Sequence, residues 1–172
     1  GVGNYTEDDI KEASRAFTGW TFVQPLPLDP YARYDSEFLY VDDDHDHGKK
    51  TFLGETGNWN GHDIIEIVAR QRATAKFITR HLYNFFVADE PQVPAWNIVP
   101  PNNPKAIENM VNIYMDTDGS IKEILRFLFN SDFFKKSKFK KIKSPVELVT
   151  GVIKINGKQR FPGPDFGTLS TT

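Results

Sequence analysis

The sequence predicts a mainly α, multi-helix domain with one small β-hairpin at about residues 37–53. Three observations carry this. Apolar residues recur at helical spacing over much of the chain after Gly61. Capping signatures stand ahead of several of these runs, at Thr6, Ser120 and Ser144. Two short runs suited to strands, Glu37 to Val41 and Lys50 to Leu53, flank a polar segment. With 172 residues, 39% of them hydrophobic, the chain is long enough for one core. It is therefore read as a single helical domain over residues 1–172, and its 14 Phe, 6 Tyr and 3 Trp give that core large pieces to pack.

The first helix opens at Thr6, an N-cap with Asp9 three residues later, and acids at 7, 8 and 9 suit the positive end of the helix dipole. Ile10, Ala13, Ser14 and Phe17 form its stripe, Gly19 suits a left-handed turn past its end, and Trp20 and Phe22 are expected to plug the core. From Gln24 to Tyr34, three prolines exclude regular structure. The hairpin follows, with residues 42–49 as its loop. A two-stranded ribbon is marginal alone and must lean on the helices.

After Gly61, Ile64, Ile65, Ile67 and Val68 start one helix. Ala75, Ile78, Leu82, Phe85 and Phe86 belong to a second, with a break near Gln71-Arg72-Ala73. Five prolines make residues 89–104 a loop. Ile107, Met110, Val111 and Tyr114 lie on one face of the next helix, and Asp118-Gly119 turns the chain. Ser120 with Glu123 forms a capping box for a helix with Ile121, Ile124, Leu125 and Leu128 inward. Ser144, Pro145 and Glu147 give the N-cap, N1 and N3 of a last helix, expected to bury Leu148, Val149, Val152 and Ile153 and to end at Gly157. Residues 158–172 read as a loose tail. The chain starts with Gly1-Val2-Gly3 instead of Met and stops in Leu169-Ser170-Thr171-Thr172, so it reads as a piece of a longer protein.

The net charge of −2 gives no global field toward nucleic acid, and none is expected as a partner. Charge is uneven: acids dominate residues 1–60 and bases the remainder. The absence of cysteine excludes disulfides, thiolate zinc sites and a Cys nucleophile. No apolar run nears the roughly 18 residues of a membrane span. Phosphate-loop, G-x-S-x-G and His-Glu-x-x-His motifs are missing.

Chemistry concentrates in Asp42-Asp43-Asp44-His45-Asp46-His47. Asp44, His45, Asp46 and His47 are a candidate divalent-metal set, since His-x-His in an extended segment points both rings one way. Asp42, Asp44 and Asp46 match the start of a calcium-loop pattern, which fails at His47 and Leu53, where Gly and Glu are needed. The bland alternative is a solvated acidic loop that guards a strand edge. His62 and Asp63 stand at a helix start, where Asp63 suits a first-turn acid, and His81 suits a partly buried position on an apolar stripe. Six lysines between Lys135 and Lys143, with no arginine among them, suit a solvated linker or an acidic partner.

The segments together resemble the bacterial "domain of unknown function 1800" family. The stretches that carry the likeness are Tyr5-Thr6-Glu7 through Thr18-Gly19-Trp20, His45 through Gly54, Gly61 with Asp63-Ile64-Ile65, Ala75 through Ile78, Phe85 through Pro91 and Lys143 through Val149. They span about residues 4–153. The resemblance implies an exported bacterial protein, in the periplasm or at the cell surface, and a full-length chain much longer than this one. It attaches no known activity. A His-Asp-x-Gly-x-Lys core falls on His45, Asp46, Gly48 and Lys50, while His47 and His62 fall at variable positions. Arg15, Asp63 and Glu147 also fall on pattern positions, with structural uses as ion pair, helix start and capping box.

Three functional expectations follow. The first is a helical binding or scaffold module, with residues 42–54 as its functional or structural centre and an unidentified protein or small molecule as its partner. The second is a metal-assisted hydrolase drawing on His45, Asp46, Lys50, Asp63 and Arg15. The third makes His45, Asp46 and Lys50 a structural knot that ties the hairpin to helix ends.

Overall fold

A computed structural model describes residues 3–23, 36–93 and 95–157. The expectations for the Pro-rich stretch from Gln24 to Tyr34 and for the tail 158–172 lie outside the described residues. Seven helices and two antiparallel two-stranded sheets make up the described chain, which is mainly helical as the sequence predicts.

Helix α1 (Glu7–Ala16) starts in the expected box: Asp9 N–H donates to Thr6 Oγ1 at 3.1 Å, and Thr6 N–H to Asp9 Oδ2 at 2.7 Å. Its inward face is Ala13, Ala16 and Phe17, while Ile10 and Ser14 face outward. The chain turns at Gly19, with φ of +79° and the Val41 carbonyl where a Cβ would sit, and enters β1 (Trp20–Val23).

The single hairpin over residues 37–53 is not formed. Strand β2 (Glu37–Tyr40) pairs backward with β1, Trp20 opposite Tyr40 and Val23 opposite Glu37. Strand β3 (Lys50–Phe52) pairs forward with β4 (Glu55–Gly57). The reason is local. Leu53 and Gly54 both hold positive φ, 48° and 84°, and close a two-residue hairpin immediately after β3. Between the sheets, residues 42–44 form a 3-10 turn instead of a hairpin loop. Phe22, expected in the core, stands exposed on β1. Trp20 does pack inward, edge-on to Phe17 and Phe38 at 5.1 and 5.0 Å, over the start of α2. A Cβ on Gly61 would lie 2.5 Å from the Trp20 ring.

Helix α2 (Gly61–Ala69) and α3 (Arg72–Phe86) are two helices as expected, with the break at Arg70-Gln71, slightly ahead of the expected Gln71-Arg72-Ala73. α4 (Pro104–Asp116) buries its whole anticipated face of Ile107, Met110, Val111 and Tyr114. α5 (Ile121–Asn130) buries Ile124 and Leu128, with Ile121 exposed. Its capping box does not form: Ser120 makes no side-chain cap, and Glu123 instead takes Arg126. A short α6 (Asp132–Lys135) follows, which periodicity does not reveal. α7 (Pro145–Ile155) has its Ser144–Glu147 box, but Leu148, Val149, Val152 and Ile153 are exposed, against expectation. Periodicity identifies an apolar face without identifying what covers it.

Two buried clusters result. Ala16, Phe52, Ile64 and Ile67 form the smaller, with Ala13, Phe17, Leu53 and Trp59 against it. The larger joins α3, α4 and α5 through Ala75, Tyr83, Met110, Val111, Ile124 and Leu128. Tyr114 Oη donates to Ala69 O at 2.9 Å, linking α4 to the end of α2.

Candidate functional site

The end of α1 and residues 45–53 meet in one hydrogen-bonded assembly. Arg15 faces Asp46 side-on, Nε to Oδ2 at 2.7 Å and Nη2 to Oδ1 at 3.2 Å. Its Nη1 also bonds both Glu12 oxygens, at 3.0 and 2.9 Å, and Lys49 O. Asp46 Oδ1 accepts Gly48 N–H at 2.8 Å, a local turn that shapes the loop. Gly48 has no room for a side chain, since a Cβ would lie 2.7 Å from Arg15 Nη2. Thr18 Oγ1 donates to Arg15 O at 2.6 Å and accepts Asp46 N–H at 2.7 Å.

Strand alternation turns Lys50 and Phe52 inward and Thr51 outward. Lys50 is fully buried, and its ammonium donates to the carbonyls of Asp46 and Gly48. The edge of β3 away from β4 is covered by α1: Thr51 N–H donates to Glu12 Oε2 at 3.1 Å, and Leu53 N–H to Asp9 Oδ1 at 2.7 Å. Two carboxylates thus take the place of a third strand.

Electrostatics follow the bonding. The Arg15 guanidinium, then the Gly48 N–H, hold the Asp46 carboxyl down at about 2. Glu12 is lowered by Arg15 first and Thr51 N–H second, and Asp9 by the Thr6 backbone and hydroxyl and then by Leu53 N–H. Arg15 is held still more firmly protonated by Asp46 and Glu12.

The candidate residues divide. Arg15, Asp46 and Lys50 converge, with His45 beside them: His45 Nδ1 lies 2.9 Å from the Thr18 carbonyl, which fixes the proton on that nitrogen. Asp63 is elsewhere, capping α2 through Asn60 N–H at 2.8 Å. His45 and His47 do approach, with ring centroids 4.9 Å apart. His47 Nε2 lies 3.3 Å from Asp42 O, and Asp44 is exposed. Among the described residues no three His, Asp or Glu side chains come together as metal ligands.

A family model described as "Protein of unknown function (DUF1800)" matches residues 1–170. The chain belongs to the DUF1800 family. No curated protein and no solved structure matches it.

A second polar centre of this DUF1800 chain escapes sequence reading. Arg80 and Glu90 are both buried, joined from Nε to Oε2 at 2.8 Å. Arg80 Nη1 donates to Val99 O at 3.0 Å and Trp96 O at 3.3 Å, and Asn102 N–H donates to Glu90 Oε1 at 2.9 Å. The pair therefore shapes the Pro-rich segment after α3. The available signal is an arginine one place from Thr79, on the buried side of α3. His81, expected partly buried, is exposed and lies against Phe77 and Trp96. The lysine run is tied back through Lys141 and Ile142 N–H to Asp89. No helix among the described residues is long and apolar enough to cross a membrane.

Proposed function

We propose that the chain is a helical binding or scaffold module of an exported bacterial protein, with residues 42–54 as its structural centre. The supporting observation is the closure of the knot. Arg15, Thr18, Asp46, Gly48 and Lys50 direct their donors and acceptors at one another and at the edge of β3. Lys50 has no solvent-facing atom with which to steady a substrate. The most recognisable residues of the motif then set the shape of a loop, and a protein or small-molecule partner is met elsewhere on the surface.

The metal-assisted hydrolase built on His45 and Asp46 requires Asp46 to leave Arg15, and Asp63, a further candidate for it, stands apart at the cap of α2. The two readings part in a thermal-shift screen of the protein against Zn²⁺, Ca²⁺, Mg²⁺, Mn²⁺ and a chelator, with His45→Ala and Asp46→Ala alongside. The module reading expects a flat response to the metals and a lower melting temperature for Asp46→Ala. A ligand at 100 times its Kd stabilises by about 2.7 kcal/mol. A metal-specific rise of that order, lost in His45→Ala, would favour the hydrolase instead by establishing the metal site it needs.

A further inference from the structure

A cavity of about 830 Å³ lies between α3, α4, the segment after α3 and Asn4-Tyr5 ahead of α1, and none of the knot residues lines it. Its size is that of a small-molecule site. Three cations reach it from one helix: Arg72, Lys76 and Arg80 follow at four-residue spacing and share a face of α3 over about 12 Å. The described lining carries one carboxylate against them, Glu108, which pairs with Arg72. Arg80 is answered from behind by Glu90. Lys76 forms no ion pair among the described residues and is exposed.

Arg80 forms part of the wall. Its side chain is 6% exposed, and its guanidinium is held by Glu90, with Nη2 2.8 Å from Oε2. The apolar wall is aromatic. Phe77 stands edge-on to Trp96 at 5.8 Å, and the Arg80 guanidinium lies 4.8 Å from the Trp96 ring centre. Trp96 is held in place by its indole N–H, which donates to Pro91 O.

We propose that this cavity binds a small organic carboxylate with an aromatic body. Lys76 takes the carboxylate, and Phe77 and Trp96 take the ring. With Arg72 and Arg80 answered by carboxylates, the charge left on the α3 stripe is that of Lys76, which disfavours a cation. A neutral ring leaves that charge without a counterpart. The proposal gives the binding module its ligand class, and so rests on that reading.

The probe is 4-phenylbutyrate, titrated by calorimetry into the protein, with the neutral 4-phenylbutanol as its partner compound. Saturable binding of the acid is expected, weakened at least tenfold in Lys76→Ala, largely restored in Lys76→Arg, and reduced as salt is raised. The alcohol is expected to bind at least tenfold more weakly than the acid. Because Lys76 is exposed, its variants test binding in a folded protein, which circular dichroism verifies. No saturable binding of the acid, equal binding of acid and alcohol, or an affinity unchanged in Lys76→Ala each overturns the proposal. Those results leave the module reading standing. Turnover of a substrate abolished by His45→Ala would end the module reading and leave the carboxylate site in place.

Discussion

Asp46 and Arg15, thirty-one residues apart, meet side-on with both guanidinium contacts directed at one carboxylate. Such a fork fixes angle as well as distance, so it sets how the loop sits on α1. The same guanidinium reaches Glu12, whose other task is to bond the N–H of Thr51. Helix, loop and strand edge are therefore joined through one cation.

Acid should loosen this junction. The Asp46 carboxyl titrates at about 2 in the folded chain against an ordinary 3.8, so its contribution is complete above about pH 4 and is lost as the pH falls towards 2. Asp9 and Glu12 are lowered in the same direction. The melting temperature is expected to fall across this window. Asp46→Asn should start lower at pH 7 and lose less on acidification. Parallel curves for the two proteins would remove Asp46 from the acid response.

Lys50→Met keeps most of the stem and deletes the ammonium. The carbonyls of Asp46 and Gly48 then lose a buried donor, at a cost of about 1–3 kcal/mol. Urea unfolding measures this. A stability equal to wild type would mean that water replaces the ammonium.

The Arg80–Glu90 pair should behave as a buried unit. Glu90→Gln leaves a buried guanidinium without its counter-charge and is expected to destabilise by about 3–5 kcal/mol. Arg80→Met combined with Glu90→Gln should recover a substantial part of that loss. A double-mutant cycle in urea gives the coupling, and an additive result would refute it.

On α7, Val149→Ser and Val152→Ser should each change stability by no more than about 0.5 kcal/mol, because both side chains are exposed. Had the sequence reading of a buried face been right, each would cost several times more. The same urea experiment separates the two.

Local chemistry was readable because its partners are close in sequence. Thr6 with Asp9 and Ser144 with Glu147 form their boxes as expected, and the α4 stripe is buried whole. Ser120 with Glu123 has the same spelling and fails, because Arg126 one turn on takes the carboxylate. Strand pairing failed for a related reason. Nothing in Glu37–Tyr40 says whether its mate lies before or after it, and Gly54 is the sequence signal that Lys50–Phe52 turns back at once.

The site was legible in part. Arg15, His45, Asp46 and Lys50 were singled out by motif and do assemble, while Asp63 stays at its helix cap. Gly48, a position of the same motif, joins the assembly through its lack of a side chain, and Thr18 joins through a hydroxyl, for which spacing offers no signal. Arg80 and Glu90 were missed because a charged residue at a helical position reads as solvent-facing until its neighbours are known.

The separation of the two buried clusters bears on how the molecule comes apart. One rests on four buried side chains beneath a lattice of carboxylate contacts, and the other on a broad apolar interface among α3, α4 and α5. Protons attack the first kind of support and leave the apolar contacts of the second unchanged. Unfolding below about pH 4 should then proceed by stages, with amides of β3 and the end of α1 exchanging their hydrogens while those of α3 and α4 stay protected. At neutral pH the two regions should exchange closer together in time, so proton concentration alone would convert one cooperative transition into two.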